Sequence, residues 1–302
     1  MRQSDGTTAE ITRSSSKKAE TTGSGNIIWH RFRRNKVAMV SLVVLSVIVA
    51  AVILAPVLVT HGRDVIDLGL TESPPSARNW LGTDALGRDI YTRLLYGGRI
   101  SLAVAVIATT LQMGIGIFLG SVAGYYGGFV KTLVMRLTDT VLSFPYLALA
   151  IVAAAIMGPG IYSTMLIIGL LSWTGTCRLV YGQFLSIRET EYVKAARALG
   201  FSPLRIIRKH MLPNAMAPLV VNATLAMAAA ILIEAGLSFL GLGVQGPIPS
   251  WGNMLQAARN MRVIMHMPWI WAPPGVAIFL TVLTINLIGD GLRDAFDPRL
   301  KG

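Results

Sequence analysis

Residue types that carry chemistry are few in this chain, and their spacing points to neither catalysis nor metal binding. The single cysteine excludes an internal disulfide. The apolar segments contain no paired carboxylates, histidine clusters or nucleophile motifs, and no Gly-x-x-x-x-Gly-Lys phosphate loop occurs. The isolated residues of this class are Cys177, His30, His61, His210 and His266. We therefore expect no metal site, no cofactor and no enzymatic activity in this chain.

Two acidic residues, Asp139 and Glu234, lie within strongly apolar segments. Charged groups are costly in hydrocarbon, so both are candidates to line a pathway through a membrane. For Asp139 the alternative is a structural ion pair with Arg136, three residues earlier on the same predicted helix. Glu234 has no opposite charge in its own segment, so its alternatives are a partner on a neighbouring helix or a position near the membrane surface.

The composition indicates an all-α membrane protein. Hydrophobic residues make up 53% of the 302 residues and charged residues only 14%, whereas about a quarter of a soluble domain is charged. The apolar runs are long enough to cross roughly 30 Å of hydrocarbon. We predict six transmembrane helices, the third interrupted by Pro145 and the fourth continuing to Ser186, at residues 37–61, 100–130, 133–157, 161–177, 211–241 and 268–289.

The net charge of +12 is explained by membrane topology. Six spans place both termini on one side, which then carries 20 of the 27 Lys and Arg residues, against 7 on the other side. Because the cytoplasmic loops of membrane proteins carry an excess of Lys and Arg, both termini are predicted to be cytoplasmic. Membrane topology thus accounts for the positive charge, and binding to nucleic acid is not expected. The chain then divides into a disordered cytoplasmic tail (1–36), a first span with an extracytoplasmic loop (37–99), a five-helix core (100–289) and a cytoplasmic tail (290–302).

A basic segment at residues 188–213 is predicted to form a cytoplasmic helical hairpin. Residues 189–199 favour a helix, and Gly200 is a natural residue to end it. Ser202 and Pro203 then supply an N-cap and a first helical residue for a second helix. We expect that helix to end at Leu212, because a residue before proline is pushed out of the α region.

Two further patterns concern packing. Asp84 precedes Arg88 by four residues, and Asp89 precedes Arg93 by four, which favours a short amphipathic helix with two ion pairs before the second span. Within that span, glycines recur every fourth residue and predict one helix face that a neighbouring helix approaches closely. These glycines are Gly116, Gly120 and Gly124.

The basic segment resembles the cytoplasmic loop signature of ABC importer membrane subunits. Its matching residues are Ala195-Ala196, Gly200 and Leu212-Pro213, whereas Lys194 and His210 replace the usual Glu and Ile. Residues 82–89, 237–243, 251–252 and 289–294, with Asp297-Pro298, extend the resemblance over about residues 27–301. On these motifs the chain resembles the C-type permease subunit of the oligopeptide and dipeptide (peptide/nickel) importer family.

The resemblance implies a type I ABC importer permease fold in a bacterial or archaeal inner membrane. It also implies four kinds of partner: a homologous second permease subunit, two ABC ATPase subunits that bind ATP and Mg, and an extracytoplasmic substrate-binding protein. The loop would couple ATPase closure to rotation of the spans. For its basic residues, the positive-inside bias alone is the alternative. The implied coupling residues are Ala195, Ala196, Gly200, Arg205, Arg208, Lys209, Leu212 and Pro213.

The resemblance implies peptide import but leaves the solute open. Members of this family also carry nickel chelates, glutathione or oligosaccharides. Other classes are disfavoured: a self-contained secondary transporter needs ion-coupling groups and usually an internal repeat, and neither is evident in the sequence. A membrane-embedded enzyme lacks candidate catalytic residues.

Overall fold

The computed structural model describes residues 24–59 and 61–296. This part of the chain is almost entirely helical and contains no β-strand. Short 3-10 segments and one π-helical turn connect some of the helices. The α-helices are α1 (Ser24–Arg34), α2 (Lys36–Ile53), α3 (Ala55–Leu58), α4 (Ile90–Tyr126), α5 (Gly128–Leu142), α6 (Tyr146–Met157), α7 (Ile161–Ile187), α8 (Glu191–Ala198), α9 (Pro203–Ile206), α10 (Met216–Phe239), α11 (Trp251–Met254), α12 (Met261–His266) and α13 (Pro268–Phe296).

Five helical segments of the described chain are long and apolar enough to cross a membrane: α2, α4, α7, Pro203–Phe239 and α13. Helices α5 and α6 meet the same criterion only as a pair, bent by 86° at the break between them. Pro145 lies at this break and precedes α6 as its N-cap, where its missing amide hydrogen costs no helical bond. The predicted all-α membrane protein is confirmed, with five spans, or six when the bent pair is counted as one.

The glycine stripe of α4 is closely approached by a neighbouring helix, as predicted, and that helix is α7. A Cβ atom added at Gly116 would lie 2.5 Å from Cβ of Thr176, and one at Gly120 would lie 2.6 Å from the carbonyl oxygen of Cys177. A Cβ at Gly124 would lie 2.5 Å from the side chain of Phe184. The two helices therefore approach so closely that only glycine fits on this face of α4.

Both ends of the described chain are more helical than expected. Helix α1 occupies part of the tail that was predicted to be disordered, so that prediction is wrong for residues 24–34, while residues 1–23 lie outside the described range. Phe32 of α1 is buried against Gly291 of α13. Helix α13 itself continues through residues 290–296 of the predicted C-terminal tail. Packing between these two helices supplies order that the polar composition does not reveal.

The segment before the second span is a compact loop and not the predicted amphipathic helix. Its glycines Gly82 and Gly87 have φ values of +75° and +72°, which a helix does not tolerate. The ion pair between Asp84 and Arg88 is present at 2.7 Å, but Arg93 approaches Asp84 at 3.5 Å and not Asp89. Asp89 instead caps α4, because its carboxylate accepts the amide hydrogen of Thr92 at 2.8 Å.

The spans connect on two opposite sides of the bundle. We call the side with residues 61–89 and 240–267 the loop side, and the side with residues 188–213 the hairpin side. The hairpin side carries the segment that the sequence singled out.

Candidate functional site

The first arm of the hairpin is α8, which ends in a turn that requires glycine. Gly200 has φ of +73°, and its amide donates to the carbonyl of Arg197 at 3.0 Å. The amide of Phe201 donates to the carbonyl of Ala196 at 3.1 Å. This pair of bonds is a Schellman motif, in which the left-handed residue satisfies the last carbonyls of the helix. The structure thus places Gly200 at the sharp turn that the sequence predicted.

The second arm does not end at Leu212, so that part of the prediction is wrong. Leu212 keeps helical angles (φ −60°, ψ −43°), and its amide donates to the carbonyl of Ile207 at 2.8 Å. This bond spans five residues and belongs to a π-helical turn at Ile207–Met211. The wider turn admits Pro213, which begins a 3-10 segment leading directly into α10. The second arm is therefore continuous with a membrane span.

The hairpin is anchored to the bundle by its inner face. Val193, Ala196, Ile206 and Met211 are buried and belong to one cluster with Val180 and Phe184 of α7. Ala196 is thus a packing residue, whereas Ala195 is exposed and Leu212 is half-buried. Arg197 lies 4.7 Å from the ring centroid of Tyr125 in α4. The hairpin is accordingly held against two different membrane helices.

The outer face of the hairpin combines cations with exposed leucines. Arg205, Arg208 and Lys209 are exposed. Arg205 lies over the ring of Phe201 at 4.9 Å, and within the described chain neither Arg208 nor Lys209 has an ion-pair partner. Lys194, which departs from the usual signature, lies 3.8 Å from Glu191 of the same helix.

Sequence reasoning missed two apolar residues that flank the turn. Leu199 is 73% exposed and Leu204 is 62% exposed, so the outer face of the turn presents two apolar side chains beside its cations. The available signal was their position. Both leucines flank Gly200 at the tip of the hairpin, and neither belongs to the buried cluster of Val193, Ala196 and Ile206.

The two acidic residues of the apolar segments lie in different environments. Asp139 pairs with Arg178 of α7 at 2.5 Å, and both side chains are about half exposed. The predicted pair with Arg136 is not formed. Glu234 is fully buried, and its carboxylate accepts hydrogen bonds from Ser101 of α4 and Ser238 of α10. A partner on a neighbouring helix was one of the alternatives left open for Glu234.

Comparison with known proteins identifies the family. Residues 116–302 match the family model described as "Binding-protein-dependent transport system inner membrane component". The chain belongs to this family. Residues 25–75 of the chain match a second family model, described as the N-terminal TM domain of oligopeptide transport permease C. The chain is thus a multi-pass inner membrane permease subunit and not an enzyme.

Named relatives resemble nearly the whole permease subunit. A putative peptide permease protein of Brucella suis is 46% identical over 272 residues, covering 90% of each chain. The dipeptide transport system permease protein DppC of Alkalihalophilus pseudofirmus is 42% identical over 271 residues, covering 90% of this chain and 88% of its own. Among solved structures, an inward-facing MetNI methionine ABC transporter has a chain with a TM-score of 0.55 and 20% identity, covering 68% of this chain and 97% of that one. This last likeness shows a shared fold.

Proposed function

We propose that this subunit forms half of the translocation pathway of an ATP-driven importer of peptides. The relatives named as peptide and dipeptide permeases support the solute class. The observation that carries the proposal is the hairpin, whose exposed tip is continuous with a membrane span. A segment of this form can transmit motion from a cytoplasmic partner into the membrane.

The proposed partners divide the work of transport. Because this chain contains no phosphate-binding loop, ATP and Mg are assigned to two cytoplasmic ABC ATPase subunits. These subunits would change shape during ATP hydrolysis. A homologous permease subunit supplies the other half of the pathway. An extracytoplasmic binding protein delivers the solute, as the family description of a binding-protein-dependent system supports.

The hairpin would dock into a groove of the ATPase. The exposed Leu199 and Leu204 would lose their contact with water there, and Arg205, Arg208 and Lys209 would meet acidic side chains. The predicted orientation agrees with this role, because the positive-inside bias assigns the hairpin and both termini to the cytoplasm. The coupling role of Ala195 and Pro213 would follow from their exposure on the same segment.

We propose different roles for Asp139 and Glu234, the two acidic residues of the apolar segments. The exposed pair of Asp139 and Arg178 is the better candidate to contact the pathway, since both side chains are open on the surface of this chain. Glu234 is enclosed by its own chain. A solute could reach its carboxylate only if the surrounding helices separated.

The deciding experiment is uptake by the reconstituted complex. Proteoliposomes that contain both permeases, the ATPases and the binding protein should accumulate labelled dipeptides or oligopeptides only when ATP is present. Nickel chelates, glutathione or oligosaccharides competing better than peptides would overturn the solute class. The permease purified without ATPase subunits should hydrolyse no ATP, and measurable turnover by that preparation would contradict the division of work.

A further inference from the structure

A short segment of the loop side is inserted between two membrane helices. We call residues 250–254 the plug. Trp251 in the plug is 1% exposed, and its indole nitrogen donates to the carbonyl of Leu94 in α4 at 2.9 Å. A Cβ at Gly98 of α4 would lie 2.7 Å from the ring of Trp251, and one at Gly252 would lie 2.7 Å from Cα of Ala235 in α10. Glycines on α4 and on the plug thus make the insertion possible.

Two buried serines connect the loop backbone to the membrane helices. The amide of Trp251 donates to the hydroxyl of Ser101 in α4 at 3.1 Å. The amide of Val244 donates to the hydroxyl of Ser238 in α10 at 3.0 Å. Each hydroxyl therefore accepts one loop amide and still has its own hydrogen to donate.

Glu234 accepts both of these hydroxyl hydrogens. Ser101 donates to one carboxyl oxygen at 2.9 Å and Ser238 to the other at 2.8 Å. No cation of the described chain forms an ion pair with Glu234. The carboxyl group is thus the common acceptor of a network that joins α4, α10 and two points of the loop, with every member buried.

Irregular backbone that is buried between membrane helices requires such partners. A loop that enters a membrane protein must have its amide groups satisfied, because each unpaired buried group is costly. A carboxyl group presents two separate oxygens, so it can accept the hydroxyl hydrogens of Ser101 and Ser238 at two points in space, which an apolar side chain cannot do. The network therefore gives a buried acid at this position a physical reason that needs no solute.

We propose that Glu234 is a positioning residue that holds the plug, α4 and α10 together as one rigid body during the transport cycle. Motion that enters α10 from the hairpin would then carry the loop-side end of the bundle with it, without separating α10 from α4. The part of this inference that concerns the transport cycle rests on the proposed function. The positioning of the plug can be measured without any solute.

The test compares Glu234→Leu, Glu234→Gln and the double variant Ser101→Ala/Ser238→Ala in the assembled complex in nanodiscs. Hydrogen exchange read by mass spectrometry should show about tenfold or greater loss of protection in peptides covering residues 244–254 for Glu234→Leu, because this variant leaves two buried hydroxyl donors without their acceptor. The double variant should lose protection in the same peptides. Glu234→Gln should fall between wild type and Glu234→Leu, because its amide oxygen still accepts one hydroxyl.

A coupling measurement separates positioning from general destabilisation. In Glu234→Leu, peptide uptake per ATP hydrolysed should fall about tenfold, whereas ATP hydrolysis by the assembled complex continues. The matched control is Ser121→Ala, which removes a buried hydroxyl of α4 that has no hydrogen-bond partner and should change neither measurement.

Three results would overturn the inference. Unchanged protection in Glu234→Leu would mean that Glu234 does not hold the plug. Lost uptake with unchanged protection would mean that the carboxylate acts elsewhere. Equal losses of uptake and ATP hydrolysis in both Glu234→Leu and Glu234→Gln would indicate a general defect. If wild type transports no peptide, the proposed function fails while the exchange measurement still decides the role of Glu234.

Discussion

At the scale of single residues, the hairpin depends on one backbone conformation. No heavy atom lies within 4 Å of a Cβ position at Gly200, so its positive φ and not a lack of space selects glycine. Valine there would be strained by about 1–3 kcal/mol and would distort the turn. We expect Gly200→Val to insert into the membrane normally and to lose peptide uptake while the complex still hydrolyses ATP, measured in the same proteoliposomes.

The control for this prediction is Gly182→Val. Gly182 is also exposed with no heavy atom near its Cβ position, but it lies within α7 and has no positive φ. Its uptake should remain close to wild type. Unchanged uptake in Gly200→Val would contradict the coupling role of the hairpin.

The exposed leucines lead to a second prediction at this scale. If Leu199 and Leu204 are buried in an ATPase groove, each contributes about 1.5 kcal/mol or more, or roughly tenfold in affinity. Leu199→Ser and Leu204→Ser should each weaken ATPase binding by about that factor, measured by titrating ATPase subunits onto the purified permease pair. Leu68→Ser is the matched control, because Leu68 is 72% exposed on the loop side. Equal affinity in all three variants would remove these leucines from the interface.

At the scale of elements, α4 and α7 approach so closely that the glycine stripe has no room for a side chain. A methyl group added at Gly120 would meet the carbonyl oxygen of Cys177 at 2.6 Å and Val180 at 2.7 Å, so the helices would have to move apart. Overpacking of this kind costs about 1–3 kcal/mol. Gly120→Ala should therefore lower the thermal unfolding temperature in detergent.

Gly114→Ala provides the comparison for this prediction. Gly114 lies on the same helix, but no heavy atom is within 4 Å of its Cβ position. Alanine is the better helix former, so this variant should be as stable as wild type or more stable. If both variants unfold at the same temperature, close packing at the glycine stripe is not what holds α4 to α7.

The joint between hairpin and span is a second property of the elements. Pro213 was expected to end a helix, yet the π-helical turn before it lets the chain continue into α10. A widened turn of this type accommodates a proline that an ordinary α-helix would reject. The joint therefore links the hairpin mechanically to the span that carries Glu234.

At the scale of the whole molecule, orientation in the membrane is the quantity to measure. Single cysteines at Arg208 and Gln245, each with Cys177 replaced by serine, would report the hairpin side and the loop side. Both native residues are exposed. In intact cells or spheroplasts, an impermeant maleimide should label Gln245→Cys and spare Arg208→Cys, and inside-out vesicles without the ATPase subunits, which would cover Arg208, should reverse this pattern. The opposite labelling would invert the proposed topology.

Much of this architecture could be predicted from the sequence, because membrane spans depend on local composition. The five apolar helices, the break near Pro145 and the glycine at the hairpin turn all follow from residues close together in the chain. The prediction of a helix before α4 was wrong because Gly82 and Gly87 adopt left-handed backbone angles, which the spacing of the charged residues does not reveal. Likewise, the order of α1 depends on Phe32 contacting a helix more than two hundred residues away.

The sequence by itself determined the class of molecule, its apolar segments and the hairpin that belongs to an importer subunit, since these are written in hydropathy and local spacing. Only the tertiary structure decided the partners of the two acidic residues in the apolar segments. Asp139 pairs with Arg178 and not with its sequence neighbour, and Glu234 meets Ser101, which is 133 positions away. Such partners depend on which helices pack together, and the spacing of residues within one segment does not specify the neighbouring helix.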